Sequence, residues 1–409
     1  MTAPTPVRST PGTRAVAPDL ARGLMLLLIA LANVPWFLYG TETSLTSAHR
    51  EPSTTLDAVW QSVAIVAVDG RSYPLFAFLF GYGIWQSFAR QRSAGVDERT
   101  ARRRLQRRHG WMIAFGAVHA ALLWFGDVLG AYGLVGLVVV WLFLRRTTRT
   151  LLIWAATLTG VLLLAALGTL ALGAVVPPEL AEVPGSANPD LAGTTPYLAS
   201  ILPRLLFWLP LTVTQGIFGL VVPVAVLLGI ACARVRILEE PAAHRRALAL
   251  TAVVGIAVGW AGAVPSLLVH LGTWEAPEWA PVVLHLATGL GAALGYAALF
   301  ALFALRVPSG TAPRGFTAAL TAVGQRSLTS YLLQSVIFAP LLCAWGLGLG
   351  GVLDQWQAAL LAVATWLVTL AVAVGLARGG RRGPAERALR ALSSRGAETS
   401  ATPVGRLTP

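Results

Sequence analysis

The chain has 409 residues, of which 56% are hydrophobic and only 12% charged, with a mean hydropathy of +0.67. Soluble domains carry about 25% charged residues, so a water-soluble globular fold is excluded. The net charge of +13 rests on 31 basic residues, all arginine, against 18 acids. Their placement decides between a nucleic-acid surface and a membrane topology.

A helix needs about 20 mostly apolar residues to cross a bilayer. In chain order, ten stretches qualify: 21–40, 72–90, 110–127, 128–144, 150–173, 211–233, 248–271, 281–305, 325–345 and 357–377. Lipid offers backbone groups no partners and the stretches show no two-residue alternation, so helices rather than a barrel are required. The expected fold is all-α, a polytopic membrane helix bundle of about ten transmembrane helices.

The tails and loops follow from composition. Residues 1–18, rich in Pro and Thr, read as a disordered cytoplasmic tail. Span one imitates a signal peptide with Ala30-Leu31-Ala32 as a small-x-small site, but its apolar run continues through Leu38, which argues for retention. Residues 56–69 are too short to span and are expected along the outer face. The span at 128–144 is short and starts near the Asp127 turn. Residues 174–196 read as a flexible outer loop. Residues 197–210, with Pro203 and Pro210, are expected to form an outer interfacial helix before the sixth span. The membrane domain thus covers 19–377, in halves 19–173 and 197–377. Residues 378–409 form a basic tail with a short amphipathic helix at 383–395.

Starting the chain inside places 28 arginines on inner segments and only Arg50, Arg71 and Arg204 on outer ones. This positive-inside pattern puts both termini in the cytoplasm and the protein in the cell (plasma) membrane as a multi-pass protein. Membrane lipids are the expected partners, and no nucleic acid is needed to explain the charge. Cys232 and Cys343 fall near opposite faces, too far apart for a disulfide. No metal-ligand spacing is present, and no bound cofactor is expected.

Polar groups inside spans are costly unless paired or lining a wet cavity, so they mark candidate sites. Arg22 and Asn33 lie three helical turns apart on one face of span one, with Asp19 one turn before Arg22. Asp69 and Arg71 straddle Gly70 at the outer boundary. His119 lies within span three and Asp127 closes it, pairing a candidate base with a carboxylate. Ser327, Ser330, Tyr331 and Gln334 make a polar face next to Arg326. His49 in the outer loop is a second candidate base, and His270 and His285 lie on the outer side with Glu275 and Glu278. For each group, helix packing or local pairing is the competing explanation.

Taken in order, these segments resemble the YeiB-like family of bacterial inner-membrane proteins of unknown function. Its opening pattern is matched by DLARGLMLLLIALAN, its LFGxG element by FLFGYG, and its GxxHxxLLxxGD element by Gly116, His119, Gly126, Asp127 and Tyr132. A later GRxALTxYLxQS pattern is matched by GQRSLTSYLLQS, and a final GPxE by Gly383, Pro384 and Glu386. The family looks distantly similar to transmembrane acyltransferases. Some of these carry a histidine where this chain has Asn33; others have Asn there and a histidine in the following outer loop. The resemblance implies transfer of an acyl group from a cytoplasmic thioester such as acyl-CoA, as co-substrate, to an acceptor on the outer face. His119 and Asp127 would then be catalytic. Arg22, Asn33, Asp69, Arg71, Tyr331, Gln334 and Arg326 would contact substrate, with Arg22 and Arg326 on thioester phosphates at the inner side. A transporter or exporter of a lipid or small solute, and a non-catalytic membrane scaffold, stay open beside it.

Overall fold

The computed structural model describes residues 16–41, 43, 47–176, 190–307 and 313–394. The tail readings for 1–15 and 395–409, and the loop reading for 177–189, lie outside the described residues. Among the described residues the secondary structure is entirely helical. Seven helical segments are long and apolar enough to cross a membrane: Val16–Phe37, Thr55–Ser93, Thr148–Gly173, Tyr197–Phe218, Arg245–His270, Val282–Ala304 and Gln355–Arg378. Three shorter apolar helices accompany them, Leu129–Leu142, Val221–Arg234 and Ser327–Leu342. Large apolar side chains such as Leu164, Leu250 and Val253 face outward. An apolar exterior wrapped around buried polar groups is that of an integral membrane helix bundle.

The helices used below are α1 (Val16–Asn33), α2 (Thr55–Ala67), α3 (Ser72–Ser93), α4 (Glu98–Leu122), α5 (Leu129–Leu142), α6 (Thr148–Gly173), α7 (Ile201–Val213) and α8 (Val221–Arg234). They continue with α9 (Arg245–Ala261), α10 (Val264–His270), α11 (Val282–Ala304), α12 (Gly315–Gln325), α13 (Ser327–Leu342), α14 (Gln355–Arg378) and α15 (Pro384–Ser394).

Several boundaries differ from expectation. Residues 110–122 are the second half of α4, whose first half carries the arginine run from Arg99 to Arg108. The expected span 211–233 is broken: α7 runs through Pro210 into a π turn, Thr214–Phe218, and the chain restarts at Val221. Pro203 falls in the first turn of α7, where a missing N–H costs nothing. The break comes instead at Leu220, which takes φ 58, a left-handed conformation unusual for a non-glycine residue. Residues 56–69 join α3 through a tight turn at Gly70, whose φ of 69 suits glycine and whose missing side chain leaves room for the His285 ring. The amphipathic helix in the basic tail is α15, but it is docked on protein, with Leu389 buried against α4 and α13.

Lipid is as apolar as a leucine side chain, so helix association here depends on close packing and internal polar contacts. The main crossings are backbone against backbone at glycine. A Cβ on Gly23 would strike the Leu320 carbonyl and one on Gly324 the Asp19 carbonyl, a reciprocal contact of α1 with α12. Gly81 meets the Val226 carbonyl and Gly229 the Phe78 carbonyl, seating α3 on α8. Gly255 and Gly259 do the same for α9 against Gly291 and Ala292 of α11. Both cysteines are free.

The start of α13 is tied by a clamp to α15 and the segment just before it. Glu386 accepts from the backbone N–H groups of Leu328 (2.9 Å) and Thr329 (3.1 Å), capping the first turn of α13 with a carboxylate. Arg326 donates through Nε and Nη2 to the Arg381 carbonyl, at 3.1 and 2.6 Å.

Substituting Gly81→Val or Gly229→Val should destabilise the bundle by about 1–3 kcal/mol, the usual cost of overpacking. Gly160→Val, at a site with nothing within 4 Å, should change little. Thermal denaturation in one detergent would compare them, and equal effects at all three positions would remove the crossing from the account.

Candidate functional site

α4 carries His119 one turn before its end, and the turn into α5 carries Asp127. Both are buried, Asp127 completely. His119 Nδ1 lies 2.8 Å from Asp127 Oδ1. Asp127 Oδ2 accepts from the Gly130 N–H (2.9 Å) and from the Trp208 indole (3.3 Å) of α7. A carboxylate is an acceptor, so Nδ1 donates and carries the proton. The other ring nitrogen, Nε2, is buried and has no partner among the described residues. The arrangement therefore fixes both tautomer and ring orientation and leaves one nitrogen with its lone pair, as a general base requires. Gly116 and Gly130 make this close approach possible: a Cβ on Gly116 would overlap the Asp127 carboxylate, and one on Gly130 the Trp208 ring.

Tyr331 joins this centre, its ring 5.5 Å from that of His119 and its hydroxyl accepting from the Val128 N–H at 3.3 Å. Gln334, one turn further along α13, donates to the Leu26 carbonyl at 2.9 Å. Asn33 is half-buried at the end of α1, and its side chain does not cap the short turn that follows.

A second polar centre surrounds the turn between α2 and α3. The Asp69 carboxylate does not pair with Arg71, as their spacing suggests; it meets His49 Nε2 at 2.6 Å. Arg71 is fully buried and donates instead to the Asp69 backbone carbonyl, to the Gly259 carbonyl (2.7 Å) and toward His285. It thereby fastens the α2–α3 turn to α9 and α11. His49 Nδ1 lies 2.8 Å from Gln355 Oε1, and Gln355 donates its amide to the Ala48 carbonyl at 2.8 Å, which fixes the amide oxygen toward the ring. His49 so has an acceptor at each nitrogen and none left to take a proton from a substrate. Burial opposes a charge on this imidazole, but Asp69, by its charge and its hydrogen bond, and the Gln355 oxygen outweigh burial and hold it above its ordinary value. A cavity of about 130 Å³ lies alongside, lined by Trp36, Asp69, Ser266, His270, Glu278 and His285.

Arg22, Arg90 and Arg108 form a third group. Arg22 donates to Asp19 (3.2 Å) and to the Leu79 carbonyl (3.2 Å). The charges of Arg22 and Arg90 oppose that of Arg108, and Glu386 favours it. Arg326 belongs to the clamp on the chain terminus. Among the described residues no group of three or more His, Cys, Asp or Glu is placed to hold a metal ion.

Sequence reading paired His119 with Asp127 and placed His49 as an alternative base. It missed Trp208, Gln355 and the role of Glu386. Trp208 and Gln355 lie 81 and 306 residues from the groups they orient, and no local spacing marks them. Glu386 stood in a matched motif, but its partner helix is 57 residues away.

A raised imidazole value contributes stability that is complete below the ordinary 6.5 and is lost as pH climbs through the raised value. The thermal midpoint of the wild type should fall across that window, and His49→Gln should lack the fall. Parallel pH profiles for the two proteins would rule out the His49–Asp69 pair as the cause.

Residues 232–396 match the family described as "Protein of unknown function (DUF418)". Over 405 residues the chain is 27% identical to uncharacterized protein YeiB of Escherichia coli (strain K12), covering 94% of this chain and 97% of YeiB. It is 26% identical over 398 residues to uncharacterized protein YxaH of Bacillus subtilis (strain 168), covering 90% and 91%. A shorter match, 33% over 119 residues, is to an uncharacterized 39.9 kDa protein of Bacillus acidopullulyticus, covering 29% of this chain and 31% of that protein. The DUF418 region includes the α13–α15 clamp, while the His119–Asp127 centre lies before it. Over nearly its whole length the chain is thus similar to the YeiB-like proteins of unknown function, and its later part carries their DUF418 region.

Proposed function

We propose that the protein is a transmembrane acyltransferase of the plasma membrane, crossing it ten times with both termini in the cytoplasm. The observation that carries the reading is the His119–Asp127 pair, whose carboxylate is held on three sides and whose Nε2 remains a buried, unengaged acceptor. In this reaction His119 Nε2 takes the proton from an acceptor hydroxyl as its oxygen attacks the thioester carbonyl. The C–O bond forms, the C–S bond breaks, and the thiolate leaves with the proton returned from His119. Asp127 holds the ring and stabilises the transient imidazolium.

The donor enters from the inner side. Arg22, Arg90 and Arg108 concentrate positive charge there, and arginine suits phosphate. Arg108 and His119 are eleven residues apart on α4, ~16 Å along the axis. An elongated acyl-CoA, with phosphates at one end and its thioester at the other, matches that separation. Arg326, engaged with the terminal tail, and Gln334 support the helices around this path. Tyr331 flanks the base, while Asn33, Asp69 and Arg71 belong to the outer, acceptor side.

Purified protein in proteoliposomes should release free thiol from acyl-CoA when acceptor is present. His119→Ala should lower that turnover by about 10²–10⁴-fold, the usual contribution of a general base. Asp127→Asn should also slow it, with thioester binding kept. Movement of a solute or lipid across the bilayer without thioester consumption would favour the exporter reading instead.

A further inference from the structure

Arg204 is one of three arginines assigned to the outer side, and its burial is almost complete, at 2% exposure. All three guanidinium nitrogens are shielded and lack a hydrogen-bond partner among the described residues. Its contact is with the Tyr197 ring, whose centroid lies 5.1 Å from the guanidinium carbon. Tyr197 is itself held in place, donating its hydroxyl to the Leu122 carbonyl at 2.8 Å. A cation–π contact is weak compensation for a desolvated charge, and buried charges are otherwise paired.

Among the described residues, the side chains that line the site with Arg204 are apolar, aromatic or a thiol, and none is a carboxylate. Arg204 lines a small cavity of about 10 Å³ together with Trp36, Phe37, Trp124, Phe125 and Cys343. The Trp124 indole N–H is also buried without a partner. So is that of Trp345, whose ring packs edge-on against Tyr197 at 4.7 Å. A guanidinium and indole donors in an aromatic enclosure lack one thing, an acceptor carrying negative charge.

We infer that Arg204 and Trp124 form an oxyanion-binding site on the outer side of the bundle. It takes the oxygens of a carboxylate or phosphate ester, for which the guanidinium fork is suited. The cavity has room for about one water-sized group, so it receives the oxygen end of the ligand while the remainder stays outside. Arg204 and Trp208 are four residues apart on α7, on one face, ~6 Å along the axis. Trp208 donates to Asp127. The anion is therefore held one helical turn along α7 from the tryptophan that donates to Asp127. The site stands on its own contacts and does not depend on the chemistry at His119.

The test reads binding without turnover. Wild type, Arg204→Gln, Arg204→Lys and Trp124→Phe are placed in neutral phosphatidylcholine nanodiscs. Each is titrated at constant ionic strength with acetate or inorganic phosphate while the thermal midpoint is followed. In a second arm phosphatidylglycerol replaces part of the neutral lipid, and native mass spectrometry looks for retained anionic lipid. A ligand that binds only the folded state raises its folded-to-unfolded ratio about tenfold at ten times Kd. The wild type should show a saturable rise that Arg204→Gln loses, with Arg204→Lys and Trp124→Phe weakened. Arg204→Gln should be no less stable than wild type without anion, because it removes an unpaired charge. A rise with the soluble anions identifies a water-soluble source, and one confined to phosphatidylglycerol identifies a lipid headgroup. No rise in either arm, or an equal rise in Arg204→Gln, overturns the site. His119→Ala should bind anion as the wild type does, so acyl transfer can fail while this site stands.

Discussion

Backbone-to-backbone contact at glycine is the constraint on which the rest of this bundle depends. With lipid outside, burying leucine against leucine gains little over leaving it in hydrocarbon, and helices hold together only where they approach closely. Gly23 with Gly324, Gly81 with Gly229, and Gly255 with Gly291 set three such approaches. They seat α1 on α12, α3 on α8 and α9 on α11. The same rule operates at the candidate active centre, where Gly116 and Gly130 let the Asp127 carboxylate fit between α4 and α5. A rigid scaffold of this kind is what permits a base to be held by a single carboxylate without loss of orientation.

This packing divides the family-like motifs by what they do. The first glycine of FLFGYG, Gly81, and the single glycine of GQRSLTSYLLQS, Gly324, are crossing points. Glu386 of the terminal motif caps α13, and Arg326 of the preceding motif grips the Arg381 carbonyl beside it. These are joints, and a motif read alone does not separate a joint from a site. In the GxxH…GD segment a buried ring nitrogen, His119 Nε2, has no hydrogen-bond partner among the described residues. Arginines behave in the same way: Arg71 is consumed by backbone carbonyls and an imidazole, while Arg204, among the described residues, meets the neutral Tyr197 and Cys343 side chains and no carboxylate.

Much of the architecture was legible because membrane energetics writes it in composition. Apolar stretches and the inner bias of arginine follow from transfer costs that act on each residue separately. The His119–Asp127 pairing was legible too, since eight residues spanning a helix end bring both groups to one place. What could not be read is whatever depends on long-range contact. The His49–Asp69 pair looked like two unrelated outer groups, and Arg71 looked like the partner of Asp69 because it is two residues away. Their real partners, Gln355 and His285, come from helices more than 200 residues later. The misplaced boundary at 211–233 has a different origin. Proline is the usual breaker, so Pro203 and Pro210 drew the break toward themselves, yet the first-turn position of one and the helix-tolerated position of the other left it to Leu220.

The two histidine–carboxylate pairs illustrate how identical residue types acquire different chemistry. His49 has an acceptor at each ring nitrogen and is held as a donor on both sides, so its place is electrostatic and structural. His119 has an acceptor at one nitrogen only, and the carboxylate that binds it is itself saturated by Gly130 and Trp208. A saturated carboxylate does not drift toward the second nitrogen, and the lone pair there stays available. Trp208 makes this possible from α7, the helix that also buries Arg204 one turn away. His119 and Arg204 are thereby linked through the helix that carries Trp208: Trp208 donates to the carboxylate that holds His119, and Arg204 stands one helical turn from Trp208 on α7.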